Sequence, residues 1–221
     1  MLPARTSVQL VMKIEDSAVR PPEFVHGVPT RFTVIDGGCA PKYVEVELSP
    51  LAAYRLLGTP MHHFAGQLVD LVDLLGRDGR RLGEEVRDAS TWQERFRAID
   101  RCLLDRLETA PPVATEVEYA WRQLVASGGM RPIRGICTEI RWSHKHLITR
   151  FRHQVGIAPK HAARLIRFER VLGRVADVAR PDWGALAVEC GYADQSHLIR
   201  DFREFAGTTP AAFCAGDAAP G

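Results

Sequence analysis

At 221 residues the chain has room for one large domain or two small ones, and 46% hydrophobic with 25% charged residues is ordinary globular composition, which excludes a disordered or collagen-like polypeptide. Five cysteines, Cys39, Cys102, Cys137, Cys190 and Cys214, show no C-x-x-C spacing, so they read as free thiols of a reducing compartment rather than as a disulfide framework or a zinc site. No signal-peptide core follows Met1 and no run approaches the roughly 18 apolar residues of a membrane span, so a cytoplasmic protein with no membrane partner is expected, and no cofactor or metal is indicated.

In chain order, Val8, Leu10, Met12 and Ile14 alternate as a half-buried strand does, as do Val44, Val46 and Leu48, and Arg31–Asp36 is a weaker strand between them. Ser49-Pro50 signals a helix start and Gly58 a helix stop. Gln67–Leu75 is a short amphipathic run, in which the preceding pair His62-His63 reads as surface histidine because no third metal ligand is evident. Thr91 and Glu94 have capping-box spacing, and behind them Trp92, Phe96, Ile99, Leu103 and Leu107 follow one helical face to about Glu108. Ala110-Pro111-Pro112 breaks that helix, another covers roughly 114–126, and Ser127-Gly128-Gly129 reads as a linker. The expected division is therefore an N-terminal α+β domain over 1–127, with a few antiparallel strands, and an all-α domain over 128–221, which makes the fold mostly α. Three strands do not close a barrel around a ligand, since small closed barrels use about eight, so any N-terminal pocket is shallow or shared.

The net charge of +2 hides an asymmetry: residues 1–129 carry 15 basic and 18 acidic residues, whereas 130–221 carry 14 and 9. Between Arg141 and Arg174 stand nine basic residues and one acidic residue, Glu169, a density that attracts a polyanion such as DNA or else forms a solvated face.

Sliding the C-terminal region by 51 residues aligns 143–159 with 194–210, with identities at His146/His197, Leu147/Leu198, Ile148/Ile199, Phe151/Phe202, Arg152/Arg203, Gly156/Gly207 and Pro159/Pro210. Each copy reads as helix, turn and second helix. Ile133–Glu139 and Trp183–Cys190 are the first helices, with Ile140 matched to Gly191 in the turn, and Ser143 and Asp194 are the N-caps of the second helices. A helix over 160–176 joins the two units. At about 100° per residue, Leu147 and Phe151 share one face of the second helix while Lys145, Thr149 and Arg152 oppose them; Leu198 and Phe202 likewise oppose Ser196, Arg200 and Arg203. The exposed stripes suit a DNA major groove. Arg200 can fork to guanine, Lys145 can reach guanine or phosphate, and Gln195 can pair with adenine. Ile148 and Ile199, at the stripe edge, read either as core or as thymine-methyl contacts. His144 suits a phosphate, Arg152 and Arg203 suit the DNA backbone, and His146 and His197 suit packing or phosphate contact.

The stretch Ala187-Val-Glu-Cys-Gly-Tyr-Ala-Asp-Gln-Ser-His-Leu-Ile-Arg-Asp-Phe-Arg, followed by Gly207-Thr-Thr-Pro210, resembles the signature of AraC-type transcription regulators. The resemblance covers Pro132 to Phe213. It implies two helix-turn-helix motifs joined by a long helix, both recognition helices entering successive major grooves, with DNA contacts from Lys145, Ile148 and Thr149 and from Gln195, Ser196 and Arg200. At Ile140 and Trp142 the first unit departs from the pattern. The resemblance also implies an effector-binding or dimerising N-terminal domain, for which the face Trp92–Leu107 is the candidate homodimer surface, and it makes RNA polymerase a further candidate partner. Two other readings stand beside a non-enzymatic regulator: a DNA alkyl-damage repair enzyme, which needs a reactive cysteine, and a module whose basic helices bind an acidic protein.

Overall fold

A computed structural model describes residues 3–15, 21–33, 42–175 and 181–215. The N-terminal part is built on an antiparallel sheet of β1 (Val8–Lys13), β2 (Glu23–His26), β3 (Tyr43–Leu48) and β4 (Leu68–Asp70) in the order β3-β1-β2-β4. The alternation read from the sequence sets the register: Leu10 lies between Val25 and Val46, and Met12 between Glu23 and Val44. Val8, Leu10 and Met12 point into the core. Of the strand expected at Arg31–Asp36, Thr33 forms a bridge and the last three positions lie outside the described residues; the strand beside β1 that the sequence did not signal is β2. Glu23-Phe-Val-His does not alternate, because all but His26 is buried, and this removes the period-2 signal. Glu23 itself is buried and pairs with Arg87.

Helices α1 (Pro50–Leu57), α2 (Leu71–Leu75), α3 (Arg77–Asp88) and α4 (Trp92–Glu108) pack around this sheet. Ser49 caps α1 by accepting from Ala52 N at 3.2 Å, and Gly58 ends it at φ +65°. The run expected as one amphipathic piece, Gln67–Leu75, divides at Asp70 into strand and helix, and the Asp70 carboxylate accepts from Val72 N at 2.8 Å. Helix α3 separates its faces sharply, but Leu82 and Val86 are its only buried large apolar residues, so little hydropathy marks it in the sequence. Gly79 and Gly83 complete its inner face; a Cβ on Gly79 would meet Leu71 O at 2.7 Å, so the close approach of α2 and α3 requires glycine there. The capping box at Thr91 and Glu94 forms in both directions, at 2.9 and 3.2 Å. The face that α4 buries, however, is Ala98, Ile99 and Cys102; Trp92 and Phe96 remain about half exposed, at 48% and 51%.

The C-terminal part comprises α5 (Thr115–Ala126), α6 (Ile133–Ile140), α7 (His144–Val155), α8 (Pro159–Val175), α9 (Trp183–Glu189), α10 (Gln195–Ala206) and α11 (Pro210–Cys214). Helix α5 lies on the N-terminal side of the boundary expected at Ser127-Gly128-Gly129, yet it packs on α6, α7 and α8. Its contribution is the buried set Val117, Ala120 and Leu124. The joining helix α8 buries Leu165, Ile166, Phe168 and Val171 along its inner face. The two parts share one apolar core. They are also tied by backbone and side-chain bonds: Ala4 N donates to Phe205 O at 2.7 Å, and Thr6 donates from N and Oγ1 to the Glu169 carboxylate at 2.7 and 2.8 Å.

Replacing Thr91 with alanine removes the hydroxyl that accepts from Glu94 N, leaves the Thr91 backbone N–H able to donate to the Glu94 carboxylate, and keeps the buried face of α4 intact, so a loss of about 1 kcal/mol is expected. Urea unfolding measures it, and an unchanged midpoint would show that the cap contributes nothing to global stability.

Candidate nucleic-acid interface

Two copies of one supersecondary unit stand at either end of α8. In the first, α6 turns into α7; in the second, α9 turns into α10. Ser143 Oγ accepts from His146 N at 3.2 Å, and Asp194 Oδ1 accepts from His197 N at 2.7 Å, so the expected N-caps form in both. Leu147 and Phe151 of α7 and Leu198 and Phe202 of α10 are completely buried. Each pair contributes on the order of 3–6 kcal/mol of apolar burial and fixes the rotation of its helix.

The turns correct the register of the repeat. A 51-residue offset holds for the second helices, but the first helices match at 50. Trp142 N donates to Cys137 O at 3.1 Å as Tyr192 N does to Ala187 O at 2.8 Å, and Arg141 N donates to Thr138 O as Gly191 N does to Val188 O. Gly191 is therefore matched by Arg141, not by Ile140, and Ala187 by Cys137. The first turn is one residue shorter than the second. The same register explains the paired histidines. His146 stands edge-on to Trp142 with ring centroids 4.4 Å apart, and His197 edge-on to Tyr192 at 5.2 Å, so both pack on the aromatic residue of their own turn.

On the opposite face of α7, His144, Lys145, Thr149 and Arg152 are exposed, and on α10 so are Gln195, Ser196, Arg200 and Arg203. None of these forms an ion pair among the described residues. Ile148 and Ile199 are half-buried at the edge of each stripe, between the two roles the sequence left open. The Thr149 hydroxyl donates back to Lys145 O at 3.1 Å.

The basic run from Arg141 to Arg174 divides into two classes. Arg164 holds Asp201 of α10 at 2.6 and 3.2 Å and Glu204 at 2.5 Å. Burial opposes its charge, but the two carboxylates more than compensate and raise its pKa. Arg167 donates to Gly129 O at 2.8 Å and lies over the Tyr192 ring, and Arg174 pairs with Glu189 at 2.9 Å. These arginines brace α8 against its neighbours. Arg141, Lys145, Arg150, Arg152 and Lys160 remain exposed, a smaller set of available cations than the sequence count suggested.

The described thiols offer no reactive nucleophile. Burial pushes the Cys102, Cys137, Cys190 and Cys214 pKa values up, the opposite of what an activated thiolate needs; Cys39 lies outside the described residues. Among the described residues there is no cluster of side chains fit to hold a metal ion, and no helix is long and apolar enough to cross a membrane.

Comparison with known proteins agrees with this geometry. The model of a helix-turn-helix domain matches residues 136–215. The C-terminal unit is an AraC-type helix-turn-helix domain. Domains of this kind bind DNA in transcription regulators. Among curated proteins nothing matches significantly. Similar solved structures include ToxT from Vibrio cholerae O395, 12% identical, covering 94% of this chain and 85% of that one at a TM-score of 0.42. Another is ToxT bound to (E)-4-(8-methylnaphthalen-1-yl)but-3-enoic acid, 11% identical, covering 96% and 91% at 0.46.

Two histidines in the helix-turn-helix domain are pushed down in pKa: His153 by burial and then by Arg150, and His161, edge-on to Phe205, by burial and then by Arg164. Both folded values lie below the ordinary 6.5. The unfolded chain thus protonates first, and their contribution to stability is complete above about pH 6.5 and lost as pH falls through the lower folded values. Glu169, raised by burial despite its bonds from Thr6, acts with the opposite sign. The expected outcome is a thermal midpoint that drops less between pH 7.5 and 5.5 in His161→Phe than in the parent chain; equal drops would mean that His161 does not contribute.

Proposed function

We propose that the chain reads one bipartite DNA site, with α7 and α10 entering successive segments of the major groove. The observation that carries this is the pair of capped helices, each anchored by a buried Leu/Phe pair and each presenting an exposed stripe of polar and basic side chains with no ion pair among the described residues. Helix α5 supports the reading unit from outside its expected boundary at residue 128 by packing on α6, α7 and α8.

Arg200 forks to a guanine edge, Gln195 pairs with adenine, and Lys145 reads guanine or takes a phosphate. Ser196 and Thr149 supply shorter hydrogen bonds, Ile148 and Ile199 meet thymine methyl groups, and His144, Arg152 and Arg203 neutralise backbone phosphates. Affinity comes mainly from the phosphates through counterion release, and specificity from the base contacts. The two stripes differ, so the half-sites differ. The half-exposed Trp92 and Phe96 on α4 are the surface for self-association.

Arg200→Ala is expected to weaken specific binding by roughly 1–3 kcal/mol and relax preference at one base pair, whereas Arg203→Ala weakens all sequences alike and lowers the salt slope. Competition binding against randomised duplex separates these, and equal losses on specific and random DNA in both variants would refute the assignment. Footprinting on a selected duplex is expected to show two protected elements about 10 base pairs apart on one face. Protection of one groove segment would contradict two readers, and no preference among duplexes would favour an acidic protein as partner.

A further inference from the structure

The first helices of the two units end in the same way but with different residues, although the first turn is one residue shorter. Each ends its first helix in a paired bonding pattern, from the left-handed residue and the one after it back to the last turn of the helix. The second unit places Gly191 at the left-handed position, φ +80°, which glycine adopts freely. The first places Arg141 there, φ +57°, the one non-glycine residue with positive φ among those described. An L side chain in this region is strained, and arginine has no short polar group to bond its own backbone. The bonds that close the helix end are the same ones glycine makes at Gly191, so among the described residues nothing in them calls for an arginine side chain. Arg141 is exposed and forms no ion pair among the described residues.

Its surroundings supply the reason for an arginine. Arg141 lines an open groove of about 500 Å³ together with Arg134, Cys137, Thr138, Trp142 and His144. Two guanidinium groups and a histidine face this groove and no carboxylate does. The groove ends at His144, the first residue of α7, so it borders the stripe assigned to base reading. A helix seated in the major groove has phosphates alongside its first turn, and guanidinium is the side chain best matched to them.

We propose that Arg141 is a duplex-phosphate contact, held in the left-handed conformation so that its guanidinium stands beside the first recognition helix, with Arg134 as the flanking cation. The inference rests on the reading that α7 enters DNA. It assigns the charge that departs from glycine in the first turn to affinity rather than to fold.

Strain and function separate in the test. Arg141→Gly, Arg141→Ala and Arg141→Lys are compared with the parent full-length chain on the tightest duplex selected from a random pool and on unrelated duplex, across a salt series, with thermal melting of each variant. In Arg141→Gly the melting temperature is expected not to fall, and to rise by up to about 4 °C. The same variant is expected to bind both duplexes severalfold more weakly, with a salt slope shallower by roughly 0.9. Arg141→Ala shows the same binding loss without the gain in melting temperature, and Arg141→Lys keeps the slope. Unchanged slope and affinity in Arg141→Gly, with the parent chain binding normally, would overturn the proposal alone. A parent chain that binds no duplex would overturn it together with the reading it rests on. A lowered melting temperature in Arg141→Gly would show that the arginine serves the fold.

Discussion

The helix-turn-helix domain depends on how α8 grips the second unit. Phe168 meets Phe202 edge-on at 5.1 Å and Phe205 at 5.4 Å, and beside this apolar contact Arg164 closes on Asp201 and Glu204. Asp201 is 1% exposed, and the guanidinium beside it offsets the cost of taking that carboxylate out of water. Breaking such a pair from one side costs more than the pair contributes, since the remaining charge is left buried. The contact therefore acts as a geometric constraint on α10 more than as a source of stability, and with α10 fixed, its exposed stripe has one orientation relative to α8.

The same division of labour explains why a count of basic residues overstated the binding surface. Arg164, Arg167, Arg170 and Arg174 recur at helical spacing along α8 and turn toward protein: a carboxylate pair, a backbone carbonyl, the Met130 sulfur and Glu189. Sequence density alone cannot distinguish an arginine that faces solvent from one that braces a helix, because both raise local charge equally. Partners distinguish them, since Arg174 pairs with Glu189 although it is exposed, and the cations with no ion pair among the described residues stand on and around α7 and α10.

Much of the fold was legible where chemistry is local. The caps at Ser49, Thr91, Ser143 and Asp194 form where side-chain oxygens precede apolar periods, and the alternation of Val8 to Met12 places the central strand. Legibility failed where tertiary contact decides. Glu23–His26 has no alternating pattern because it is covered on both faces, and α3 gains its inner face from glycines that have no hydropathy signal of their own. In α4 the apolar stripe was real, but the buried side is rotated toward Ala98 and Cys102, small residues that permit close packing and that a hydropathy pattern underweights. In the helix-turn-helix repeat, identity fixed the second helices while the one-residue difference in the turn shifted the first, since a shortened turn leaves no trace among side chains that do not match.

Differences between the two copies follow from what each packs against. Asp201 and Glu204 of α10 face Arg164, whereas the positions matched to them on α7 are Arg150, which is exposed, and His153. His153 meets the Tyr54 ring at 5.6 Å, and next to it Gln154 accepts from Ala114 N at 3.2 Å. One turn on, Gly156 at φ +100° lies against the Met61 backbone, where an added Cβ would approach Met61 O to 3.2 Å. Helix α7 is thus held at its C-terminal end by the region of Tyr54 and Met61, and α10 by α8 and α9 together with the backbone bond from Ala4 to Phe205. A histidine at position 204 would leave Arg164 with one carboxylate partner fewer. Each copy retains the residues that the repeat needs to form a capped, half-buried helix, and has diverged at the positions where its neighbour differs.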